Sequence, residues 1–138
     1  MRHVNLIVLF NRTRDSVLLC VRKKEPYRGL SNFVGGKVEP GETGPDAAYR
    51  ELFEETGIGR DGVKLSHMLD YHFRVSDTLL GVYVGALRRE VELVAEVNEL
   101  YWCDATENFF DMSRFAGEGS MGHILELVKV YGDAVFAE

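Results

Sequence analysis

The chain is short of several things, and each shortage removes a class of protein. Two cysteines, Cys20 and Cys103, make neither a disulfide framework nor a zinc set. Cys20 lies in the apolar run Val17–Val21 and Cys103 follows Trp102, so both read as small buried hydrophobes of a reducing compartment. With three prolines and 46% apolar residues, the chain is neither collagenous nor disordered. Basic residues are also few. Sixteen Lys and Arg against 22 Asp and Glu give a net charge of −6. That leaves no footprint for a nucleic-acid polymer, and a highly charged phosphate ligand would need metal ions to screen the repulsion. No apolar run approaches the roughly 18 residues of a membrane span. Val4–Phe10, broken by Asn5, is too short for a signal region. A cytoplasmic protein without a membrane partner is the expectation.

What is present is an ordinary globular composition over 138 residues, read as one domain spanning 1–138. His3–Phe10 and Ser16–Arg22 read as strands joined by a polar turn, the first apolar on both sides and so internal to a sheet. Asn32-Phe33-Val34 reads as a short strand ending in Gly35-Gly36. A helix is expected from Pro45, capped by Thr43 or Gly44, to a left-handed stop at Gly57. Val63–Phe73 and Thr78–Leu87 flank a hairpin turn, and Glu96–Trp102 leads into another strand. Residues 106–119 read as loop or short helix. Ile124, Leu125, Val128 and Tyr131 mark a C-terminal amphipathic helix over Gly122–Tyr131. Hairpins interrupted by one early and one late helix predict an α/β fold, a mixed sheet with helices on both faces.

The chemistry concentrates in Gly36–Ile58, GKVEPGETGPDAAYRELFEETGI. Glu51, Glu54 and Glu55 fall at i, i+3 and i+4, on one helical face, while Pro45, Ala48, Tyr49, Leu52 and Thr56 gather on the opposite side. Three like charges on one stripe destabilise a helix, and only Arg50 is close enough to offset them. Taken alone, such a run is usually a solvated face. The alternative is a site for a hard divalent cation, which takes carboxylate and carbonyl oxygens.

The spacing decides between them. The segment fits GX5EX7REUXEEXGU, with U aliphatic, through Gly36, Glu42, Arg50, Glu51, Leu52, Glu54, Glu55, Gly57 and Ile58. Seven fixed identities coincide by chance with a probability on the order of 10⁻⁸ per starting point. The chain resembles the Nudix hydrolases. The resemblance implies an α/β/α sandwich around a mixed sheet. It also implies hydrolysis of a nucleoside diphosphate linked to X, by water attack on phosphorus with Mg²⁺ or Mn²⁺. Carried onto matching positions, it makes Glu51, Glu54 and Glu55 metal ligands, with a carbonyl of Gly35 or Gly36. Glu51 becomes the candidate to deprotonate water, assisted by Glu42, and Arg50 orients a glutamate of the box. Gly57 is structural. Many members add a glutamate from a loop before a Trp-containing strand, and Glu96 and Glu99 are both in range.

The segment Asn32–Lys37 resembles the entry to the box in MutT-type enzymes that sanitise nucleotide pools. In one of these an asparagine at the position of Asn32 reads the purine, which makes Asn32 and Lys37 substrate-binding candidates. The other reading of Asn32 closes the preceding turn. That enzyme also has a Trp and paired Asp in a later loop, where this chain has Ser113-Arg114-Phe115-Ala116-Gly117. Phe115 either stacks on a base or packs in the core, and Glu118 is a candidate acceptor. A nucleoside triphosphate is therefore the expected substrate. ADP-ribose, a nucleotide sugar or a dinucleoside polyphosphate is the alternative, followed by a non-catalytic nucleotide sensor. Gly117, Gly119 and Gly122 spell a dinucleotide fingerprint but lack its βαβ context, and read as a flexible loop and helix entry at the pocket border. His3, His67, His72 and His123 have no zinc spacing and receive no role. Homodimers are frequent among soluble enzymes, but no interface is legible.

Overall fold

The most apolar strand of the sequence occupies the centre of the sheet. The structure, a computed structural model, describes residues 1–138. Strand β1 (Arg2–Phe10) alternates its side chains between two cores. Ile7 and Leu9 belong to one, Val8 and Phe10 to the other, and all four are buried. Strands β2 (Ser16–Val21), β3 (Ser31–Asn32) and β4 (Val34–Lys37) follow, then helix α1 (Gly44–Thr56). A single 3₁₀ turn at Arg60–Gly62 leads to β5 (Ser66–Phe73), β6 (Thr78–Ala86), β7 (Glu99–Asp104) and helix α2 (Ser120–Val135). No helix is long and apolar enough to cross a membrane.

The sheet runs β3-β2-β1-β6-β5, with β4 added to β1 and β7 to β2. Only β1 and β6 are parallel, in register from Arg2–Thr78 to Phe10–Ala86. The expected hairpin of β1 and β2 is barely one. The two strands meet at Phe10–Val17 and then splay, because β4 takes the edge of β1 from Val4 to Ile7. Strand β2 turns instead to β7 and β3. The expected strand at Asn32-Phe33-Val34 is split at Phe33 between the two diverging halves, so Gly35 and Gly36 lie inside β4. The splay opens the wedge in which the candidate site forms.

One helix covers each face, as the order of elements predicts. Ala48 and Leu52 of α1 are fully buried with Ile7, Leu9 and Leu18. Each such leucine contributes roughly 2 kcal/mol of burial. Ala47 joins this face and Pro45 does not, since Pro45 sits exposed in the first turn. On the other face, Met121, Ile124, Leu125 and Val128 of α2 pack on Val8, Val82 and Val84. This helix is longer than the expected Gly122–Tyr131, and Tyr131 is exposed, Val135 taking its place in the core. Gly122 lies within it, and a Cβ there would come within 2.6 Å of the Phe110 ring, so the close packing of that ring requires glycine.

Candidate active site

Helix α1 is fixed at both ends. The Thr43 hydroxyl accepts the Asp46 amide at 3.1 Å, a cap worth about 1 kcal/mol. Gly57 closes the helix at φ +80°. Between these ends, Glu51 and Glu55 lie one turn apart against β4, while Glu54 points outward with about half its side chain exposed. The Glu51 carboxylate packs on Gly36. A Cβ there would sit 2.5 and 2.6 Å from its two oxygens. The Gly35 amide donates to Glu55 Oε2 at 2.9 Å. On its other side, a Cβ at Gly35 would overlap the Asn5 carbonyl of β1. Only a glycine pair lets helix and strand approach this closely.

Arg50 ties the cluster together. Its Nε and Nη2 donate to both Glu42 oxygens, at 2.7 and 2.9 Å. Nη1 donates to Glu51 at 2.8 Å and Glu54 at 3.1 Å, and Nη2 also reaches the Lys37 carbonyl at 2.9 Å. This uses the planar fork that lysine lacks. The Arg50 guanidinium holds the Glu42 carboxyl below its ordinary range, and its carboxylate partners raise Arg50 in turn. Burial pushes Glu51 up despite Arg50. Glu55 rises to about 7, chiefly by burial, with Glu51 and Glu96 adding repulsion against the Gly35 amide bond.

Glu96 stands with Glu55, Arg22 and Cys20 around a cavity of about 220 Å³. Glu99 lies on β7, paired in register with Val21, away from that cavity. The loop before β7 is seated on α1 through the Val94 amide, which donates to the Thr56 carbonyl at 2.9 Å. No three acidic, histidine or cysteine side chains converge tightly enough to hold a metal by themselves. The donor set still fits a hard divalent cation. It is all carboxylate, carries more negative charge than Arg50 offsets, and leaves coordination for carbonyl or phosphate oxygens.

A larger cavity of about 810 Å³ opens across Gly35-Gly36 of β4, on the α2 side. Asn32 and Lys37 line it. Asn32 Oδ1 accepts the Phe33 amide at 2.8 Å, which leaves its Nδ2 donor without a protein partner. Gly117 and Gly119 border the cavity; Gly122 does not. Phe115 corrects the expectation of a base-stacking ring. It is 2% exposed, packs on Phe109 with ring centroids 4.9 Å apart, and lies outside the cavity wall. It anchors its loop in the core instead. The cavity's aromatic wall is Tyr27, Phe33, Tyr71 and Phe73.

Sequence reasoning missed several wall residues. Tyr71 and His123 share a hydrogen bond at 2.7 Å, joining β5 to α2 across 52 residues of sequence. Tyr27 donates to Glu118 at 2.7 Å across 91. No spacing rule reaches so far. Arg22 lines both cavities, and its buried Nε has no partner. Its one visible signal is its place as the first of three consecutive cations, Arg22-Lys23-Lys24, after an apolar strand.

Fold and site together define a class: an α/β sandwich domain that sets a glutamate-rich helix against a glycine-bearing strand at the mouth of a cavity. Residues 1–127 match the NUDIX domain family, and the chain belongs to that family. It is 38% identical over 80 residues to Nudix hydrolase 3 of Caenorhabditis elegans, covering 56% of this chain and 33% of that protein. It is 38% identical over 68 residues to the oxidized purine nucleoside triphosphate hydrolase of Mus musculus, covering 49% and 44%. The matched segments thus span less than half of either relative. The fold is close to that of a Caenorhabditis elegans Ap4A hydrolase, with TM-score 0.76, 16% identity and coverage of 94% and 98%. A MutT structure from a study of the Aliivibrio salmonicida and Vibrio cholerae proteins gives TM-score 0.68, 21% identity and coverage of 94% and 97%. The expected α/β/α sandwich is borne out.

Proposed function

We propose that the chain is a divalent-metal-dependent pyrophosphohydrolase of a nucleoside diphosphate linked to X. Its favoured substrate is a (deoxy)nucleoside triphosphate, cleaved to monophosphate and pyrophosphate. One observation carries the reading. The carboxylates of α1 abut Gly35-Gly36 of β4, and a cavity large enough for a nucleotide opens on the other side of those glycines. Glu51, Glu54, Glu55, Glu96 and the Gly36 carbonyl would hold Mg²⁺ or Mn²⁺. When bound, the ion screens polyphosphate charge and polarises the phosphoryl oxygens.

The chain's own groups divide the remaining work. Glu51, held beside Gly36 and fixed by Arg50, is the group to accept a proton from the attacking water. A new O–P bond forms as the P–O bond of the α–β bridge breaks, and pyrophosphate leaves with the bridging oxygen. Arg50 fixes Glu51 and Glu54 in position. Both Glu42 oxygens are engaged by Arg50, so Glu42 is a positioning residue rather than an aid to proton transfer. Arg22 and Lys37 offer positive charge to the phosphates, and Asn32 offers a donor to the base.

A second reading has its own support. The chain is 46% identical over 44 residues to the ADP-ribose pyrophosphatase of Methanocaldococcus jannaschii, covering 32% of this chain and 26% of that protein. One panel separates the two: identification of the products, a monophosphate with pyrophosphate or a monophosphate with a sugar phosphate, from ordinary and oxidised triphosphates, ADP-ribose and nucleotide sugars, with and without Mg²⁺. Triphosphate turnover is expected to require metal and to fall at least ~10²-fold in Glu54→Gln. Unchanged turnover in that variant contradicts the assignment, and AMP from ADP-ribose alone transfers it to the second reading.

A further inference from the structure

Asn5 is a buried polar residue that the proposed chemistry leaves without a task. It stands in β1 on the same face as Ile7 and Leu9, the face that α1 covers, and is 1% exposed. An amide so placed needs hydrogen bonds to offset its desolvation, and only half of this one has them. Nδ2 donates to the Gly44 carbonyl, in the first turn of α1, at 3.0 Å. Oδ1 is buried without a partner. Stability therefore gives no reason for an amide here, since an apolar side chain of similar volume would carry no unpaired acceptor.

The row of the sheet to which Asn5 belongs supplies the reason. Asn5 is paired with Gly36 of β4 on one side and with Gly81 of β6 on the other. The Glu51 carboxylate fills the space that a side chain at Gly36 would take. Asn5 Oδ1 does the same at Gly81, 2.8 Å from where a Cβ would stand. One row thus receives α1 at two points, Gly44 through Asn5 and Glu51 through Gly36. Gly44, Glu51 and Glu55 share one stripe of the helix, with Gly44 about 10 Å along the axis from Glu51. The backbone of Asn5 acts on the same parts. Its carbonyl closes on Gly35, whose amide donates to Glu55. Under the first turn of α1 lies the Tyr83 hydroxyl, which a Cβ at Gly44 would overlap. That turn is drawn to the sheet by Asn5 and stopped by Tyr83, and its height on this seat sets the height of the carboxylates farther along.

We infer that Asn5 is a positioning residue: by seating the first turn of α1, it sets where Glu51 and Glu55 stand over Gly35 and Gly36. Only the kinetic arm of the test rests on the hydrolase reading. Asn5→Leu keeps the volume and removes the donor. Gly44→Ala lifts the same turn from the other side, and Tyr83→Phe, added to it, makes room again. Each variant is measured for kcat and KM, for melting temperature, and for hydrogen exchange of the Gly35 amide by NMR in the metal-free chain. Asn5→Leu lowers kcat about tenfold and leaves KM within about twofold, with the melting temperature nearly unchanged. The Gly35 amide exchanges about tenfold faster, because Glu55 no longer holds it. Gly44→Ala shows the same losses, and the double variant returns to within about twofold of the unaltered chain. A merely structural role would lower the melting temperature and leave kcat and the Gly35 amide unchanged, which overturns the inference. Should Asn5→Leu not fold, the Gly44 pair decides: loss with rescue supports the inference, and loss without rescue, or no loss, overturns it. Should the unaltered chain turn over no nucleotide, the hydrolase reading falls and exchange at Gly35 alone decides the placement.

Discussion

The acid-bearing helix and the cavity wall face each other across two glycines, yet they are built on different principles. The helix half comes from one continuous segment. Glu42, Arg50, Glu51, Glu54 and Glu55 lie within 14 residues, and helical geometry alone brings most of them together. The wall draws on β1, the β2–β3 loop, β3, β5, the loop before α2 and α2 itself, joined by bonds that span 52 and 91 residues. The first half is fixed by local rules and held by a shared guanidinium. The second depends on the packing of both cores. Under the proposed function, the chemical step falls to the local half and the discrimination among substrates to the assembled one.

That contrast can be broken at four places. The largest effect is expected at the anchor of the wall. Phe115→Ala removes a fully buried ring and should cost about 3–5 kcal/mol of stability in a denaturant titration. A loss below about 1 kcal/mol would return Phe115 to the cavity as a stacking residue. Next is Gly36→Ala on the helix half. The added methyl displaces the Glu51 carboxylate, so turnover should fall about 10²-fold while the melting temperature moves little. Equal damage to both would mean that Gly36 serves packing and not the placement of Glu51.

Arg50→Lys comes third. Lysine cannot hold Glu42, Glu51, Glu54 and the Lys37 carbonyl at once, and a drop in kcat of about 10–50-fold is expected in steady-state kinetics. Full activity would show that one point charge suffices. The smallest effect belongs to Tyr71→Phe, which breaks an exposed bond to His123. Stability should change by less than about 1 kcal/mol and KM by a fewfold, with kcat unchanged. A lowered kcat would extend the reacting centre into the wall, against the division drawn above.

The same division explains what could be read before the fold was known. The ends of α1, its carboxylate spacing and its glycine stop are all local, and the helix forms where expected. The sheet order was less legible. Nothing near Ser16 indicates that β2 leaves β1 after a single residue pair, because the competing edge of β4 arrives 18 residues later. Tyr131 and Pro45 were placed on apolar faces by periodicity, which gives a face but not how far the neighbouring sheet extends. Phe115 shows the limit most clearly. An aromatic ring beside a candidate pocket is equally a core residue or a wall residue until its backbone direction is known.

The sequence by itself determined the family, the acid–glycine chemistry and the two-helix, one-sheet composition. These follow from short-range spacing and burial patterns that one segment can encode. Tertiary structure alone decided that Glu96 and not Glu99 stands beside Glu55. It also decided that Arg22 is left with a buried nitrogen unpaired, and that Tyr27 meets Glu118. Each of these depends on where a strand ends or a loop is seated. That is settled by competition among edges and cores across the whole chain, which no local pattern records.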